Sequence, residues 1–66
     1  MLSARNQFEG IVKEINAGHV MAEVVVSVGD IDVVSIMSRP ALDKLNIKSG
    51  DTVKAVIKST DVMIDE

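Results

Sequence analysis

The chain has 66 residues, a formal charge of −3 from ten acidic and seven basic side chains, one histidine, no cysteine and a single aromatic residue within a 47% hydrophobic composition. A domain this short buries only roughly 60% of its unfolded surface, so one domain (residues 1–66) with outside support from disulfides, a metal or partner subunits is expected. Without cysteine, and with His19 alone, neither a disulfide framework nor a bound bare cation is expected, which leaves self-association. An acidic chain whose only ring is Phe8 also lacks the basic, base-stacking surface of a nucleic-acid binder. The run Val24-Val25-Val26 is far too short to span a bilayer, and no charged and apolar leader opens the chain, so no membrane partner and a cytoplasmic location are expected.

Residues 7–16 (QFEGIVKEIN) set Phe8, Ile11 and Ile15 against Glu9, Lys13 and Glu14 and read as a first strand, with Gly10 marking a bulge or bend. Asn16 to His19 reads as a turn, and residues 20–28 as a second strand with Val20, Ala22, Val24, Val26 and Val28 on one face. Gly29-Asp30 is a tight turn into a third strand over residues 31–37. Ser38 then suits a helix N-cap, with Pro40 in the first turn and Ala41, Leu42 and Leu45 facing inward. After the turn Ser49-Gly50-Asp51, residues 52–58 alternate as a fourth strand with Val53, Ala55 and Ile57 on one side, and residues 61–64 (DVMI) read as a fifth. The expected fold is therefore all-β: a five-stranded antiparallel barrel of oligonucleotide/oligosaccharide-binding type, with one short helix between strands three and four.

Catalysis finds no support in this pattern. A nucleophile needs a base in reach and a group to orient it, and His19 sits in a turn with no Ser or Cys beside it. Asp30 and Asp32 flank a hairpin turn, where solvation explains them without an acid–base role. Hydrogen-bond donors, by contrast, gather at strand ends: Ser3, Arg5, Asn6 and Gln7 before strand one, Ser38 after strand three, and Lys58, Ser59 and Thr60 after strand four. A barrel rim that brought these groups together would offer a deprotonated oxyanion what it requires, donors alone with charge-assisted bonds. The competing reading is a structural or protein-interaction barrel without a small ligand.

The stretches SARNQFEGIVKEI, VMAEVVV and IMSRPALDKLNIKSGDTVKAVIKSTDVMI carry a specific resemblance. Together they look like the molybdate/tungstate-binding Mop domain, and the full length resembles the free-standing molbindins. That resemblance implies intracellular storage or buffering of molybdate and tungstate, with the oxyanion as bound ligand and no organic cofactor. It implies a homo-hexamer, a trimer of dimers, with anion sites between subunits. The first kind of site falls on Ser3, Ala4 and Arg5, with Lys58 and Ser59, and with Ser38 from a neighbouring subunit. The family's second hydroxyl three residues after Ser38 is replaced here by Ala41, which leaves only a backbone N–H at that position. The second kind of site, near the threefold axes, falls on Gly18, His19 and Val20.

Overall fold

The structure, a computed structural model, describes residues 4–65. Its elements are β1 (Asn6–Ala17), β2 (Met21–Val28), β3 (Ile31–Ser38), the helix α1 (Arg39–Leu45) and β4 (Thr52–Ile57), followed by one 3-10 turn over Ser59–Asp61. The strands form one antiparallel sheet in the order β3-β2-β1-β4.

Local chemistry accounts for each junction. Gly29 has φ +59° at the first position of the two-residue β2–β3 loop and Asp30 does not share it, the pattern of a type II′ turn. The Ser38 hydroxyl oxygen caps α1 by accepting the Ala41 backbone N–H at 3.2 Å, and Pro40 stands in the first turn where its missing N–H costs nothing. Asn46 ends the helix in the left-handed region. The β4 approach is bolted to β1 by reciprocal bonds, Val12 N–H to the Asp51 carbonyl and Gly50 N–H to the Val12 carbonyl, both 2.8 Å.

β1 belongs to two ladders. Residues Asn6 to Ile11 pair with β4 and residues Ile11 to Ala17 with β2, and the register slips by one residue between Val12 and Glu14. The bulge expected near Gly10 is therefore at Lys13, whose ammonium reaches over β2 to Asp32 on β3 at 2.9 Å. That carboxylate, by hydrogen bond first and by charge second, holds Lys13 above its ordinary pKa of 10.5. Gly10 serves a different purpose. A Cβ there would lie 2.5 Å from the Ser27 carbonyl oxygen and under 3 Å from methyls of Val26 and Val28. Only glycine lets the coiled sheet close down this far onto β2.

The core consists of Val12, Ala22, Val24, Val26 and Leu42, with Ile15, Val28, Met37, Ile47 and Val53 partly buried around it. β2 is thus buried along the expected face, while Val20 lies outside the strand and is 73% exposed. In α1 only Leu42 is buried; Ala41 and Leu45 are exposed, because a helix of two turns presents one residue to so small a core.

The expected fifth strand is not formed among the described residues, and the sheet is not closed. The 3-10 turn, with Asp61 N–H on the Lys58 carbonyl at 2.9 Å, ends β4 and turns the chain off the sheet. Met63 and Ile64 are left 92% and 91% exposed. A four-residue strand holds only when paired with a neighbouring edge, and residues 62–65 are paired with none of the strands described. A cavity of about 430 Å³ consequently opens between β3 and β4, lined by Val24, Val26, Val33, Met37, Val53 and Ile57.

Candidate functional site

The β1–β4 ladder finishes at the pair Asn6–Ile57, so Arg5 and Lys58 leave the sheet side by side. Both are exposed, as is Ser59 in the 3-10 turn. Ala4 is held by its carbonyl oxygen, which accepts the Gln7 side-chain amide at 2.8 Å. Ser3 lies outside the described residues. Two cations and a hydroxyl here suit an anion, and the one carboxylate of the adjoining 3-10 turn is Asp61.

Ser38 does not join this group within one chain. It pairs with Met21 at the far end of the sheet, beside the end of β1 where Ala17 meets Ala22. Arg5 and Ser38 are thus separated by the length of β1. The expectation that all three donor groups share one rim fails within a single chain, because the 12-residue β1 sends its two ends to opposite sides of the fold. Ser38 stands instead by the turn of Gly18, His19 and Val20. That turn is closed by Gly18 N–H on the Met21 carbonyl at 2.9 Å, and its three residues are exposed. The backbone N–H groups of His19 and Val20 have no hydrogen-bond acceptor among the described residues and, in this exposed turn, face solvent.

Sequence reasoning missed Arg39. Its guanidinium donates to the Gly18 carbonyl at 3.0 Å and to Asp43 at 3.1 Å, and its backbone N–H donates to Val20. Nothing in the local pattern announced this, since the contact depends on where α1 lands against the β1–β2 turn. Among the described residues no cluster of three or more His, Asp or Glu side chains could hold a metal ion, and no helix is long and apolar enough to cross a membrane.

The chain is thus a small open antiparallel sheet with exposed hydrogen-bond donors at both ends. The sequence matches the TOBE domain over residues 2–64. It is 48% identical over 64 residues to molybdenum-pterin-binding protein 3 of Clostridium pasteurianum, covering 96% of this chain and 94% of that one. A molybdate-binding protein from Sporomusa ovata has the same fold, with a TM-score of 0.94 and 32% identity over 100% of this chain and 98% of that one. The cytoplasmic molybdate-binding protein ModG, in a molybdate-bound crystal form, matches with a TM-score of 0.82 and 38% identity over 89% of this chain and 43% of that one. These relatives are binding proteins. The chain belongs to the TOBE-domain family and, within it, to the molybdenum-pterin-binding (Mop) proteins.

Proposed function

We propose that this protein binds molybdate and tungstate without catalysis and serves to store or buffer them in the cytoplasm. The juxtaposition of Arg5 and Lys58 at the Asn6–Ile57 end of the sheet carries this reading, and the molybdate-binding relatives support it. The first site consists of Ser3, Ala4 and Arg5 with Lys58 and Ser59 from one chain and Ser38 from another. The separation of Ser38 from Arg5 within the monomer is what a site completed between subunits requires. The second consists of the turn at Gly18, His19 and Val20.

The same geometry supports assembly. The cavity between β3 and β4, the exposed tail at Met63 and Ile64, and the exposed Met21, Val34 and Ile36 on the outer face leave apolar surface that association would cover. In our reading a fifth strand from residues 61–64 closes the barrel when chains associate, and the assembled unit is a hexamer built as a trimer of dimers. A net charge of −3 does not prevent anion capture, since long-range repulsion is screened beyond about 8–10 Å at physiological salt and local donors set the affinity.

Calorimetric titration with molybdate, tungstate and sulfate, alongside native mass, tests the reading. Saturable binding of the first two, with sulfate competing poorly because its shorter bonds leave donors out of reach, is the expected result. No molybdate binding, or equal competition by sulfate, would overturn it. The relatives' name includes a pterin, whereas the ligand proposed for this chain is the oxyanion itself; pterin fluorescence in the purified protein would refute that choice.

A further inference from the structure

Arg39 grips the β1–β2 turn at both ends. Its backbone N–H donates to the Val20 carbonyl at 2.8 Å, and its Nη1 donates to the Gly18 carbonyl at 3.0 Å. The head group is steadied in turn by Asp43, whose Oδ1 accepts from Nε at 3.1 Å. A peptide unit is planar and trans, so its carbonyl and its N–H point in opposite directions. Fixing the Gly18 oxygen therefore fixes the direction of the His19 N–H, which has no acceptor among the described residues. A charged donor on the oxygen also polarises the amide and makes its N–H a stronger donor.

We propose that Arg39 is the positioning residue of the anion site at Gly18, His19 and Val20: it orients and polarises the His19 amide toward the anion without touching it. This rests on the reading of that turn as an oxyanion site. Three features of the clamp agree with the assignment. It comes from a different element than the turn it holds. It engages carbonyls and leaves the N–H groups open. And the guanidinium is held from two sides, by the Gly18 carbonyl at Nη1 and by Asp43 at Nε.

The test follows backbone amide signals of isotope-labelled full-length protein during molybdate titration. In the wild type the His19 and Val20 amides should move along with those of Arg5 and Ser59. In Arg39→Ala the His19 response should need about tenfold more molybdate, while the Arg5 and Ser59 midpoint stays put. Arg39→Lys, which can still reach the Gly18 oxygen with one ammonium donor, should recover most of the response and guards against a misfolded alanine variant. A merely structural role would move both midpoints together and would overturn the proposal, as would an unchanged His19 midpoint in both variants. Silence at His19 and Val20 in the wild type, with Arg5 and Ser59 responding, would remove the turn site and this proposal with it. Silence at all four positions would remove the oxyanion function altogether.

Discussion

Asn6 faces Ile57 as the terminal pair of the β1–β4 ladder, and this pairing, fifty-one positions apart in sequence, sets Arg5 beside Lys58. Two cations that local sequence keeps apart are neighbours because of strand register alone. Arg5→Ala and Lys58→Met should each weaken molybdate binding roughly tenfold to a hundredfold, the range for losing one hydrogen bond to a charged group. Both residues are exposed, so the melting temperature should hardly change; calorimetry paired with thermal melts checks both parts.

Ser38 combines two duties that substitution can separate. Ser38→Ala removes the α1 cap and should cost about 1 kcal/mol of stability. Ser38→Asp keeps an acceptor for the Ala41 N–H but puts a carboxylate where an anion is proposed to bind. It should melt near the wild type and bind molybdate far more weakly, and matched melts and titrations distinguish the two effects.

Gly10→Ala should destabilise the fold by roughly 1–3 kcal/mol, as overpacking does when the obstructing atom is backbone and cannot yield. Urea unfolding measures this directly. No anion-site residue touches the position, so binding by the fraction still folded should be unaltered.

The tail offers a test of assembly. Met63→Asp and Ile64→Asp alter side chains that are more than nine-tenths exposed in the single chain. A free monomer would tolerate both. If the tail closes the cavity of an assembled barrel, the double variant should sediment as a smaller species than the wild type.

The Lys13–Asp32 pair carries a pH dependence of known sign. Because Asp32 raises the Lys13 pKa in the fold, the pair's contribution is fully present below 10.5 and is lost as pH rises through the folded value. Because both partners are exposed the contribution is small, so Lys13→Met should lower the neutral-pH melting temperature only slightly and soften its alkaline fall by that same small amount.

The four formed strands, the hairpin at Gly29-Asp30 and the Ser38 cap were legible in the sequence because each depends on spacing or on one residue's own chemistry. The strand expected over residues 61–64 had the right alternation but lacked what alternation cannot supply, an adjacent edge. Grouping Ser38 with Arg5 failed for a related reason: a pattern of donors at strand ends does not say which ends coincide. Arg39 was invisible because its partners are main-chain carbonyls, which every residue has. The bulge fell at Lys13, a residue with no local mark of one, while the glycine three positions earlier answered to a clash across the sheet.

The two open edges also govern how this chain behaves while it folds. β3 carries a single charged residue, Asp32, in eight positions, and β4 only Lys54 in six. Edge strands so thinly charged have little to discourage out-of-register pairing with any other unpaired edge. Newly made or refolding chains therefore face a race between correct folding and irreversible clumping, and the yield of native protein on dilution from denaturant should drop as the chain concentration in the refolding step is raised.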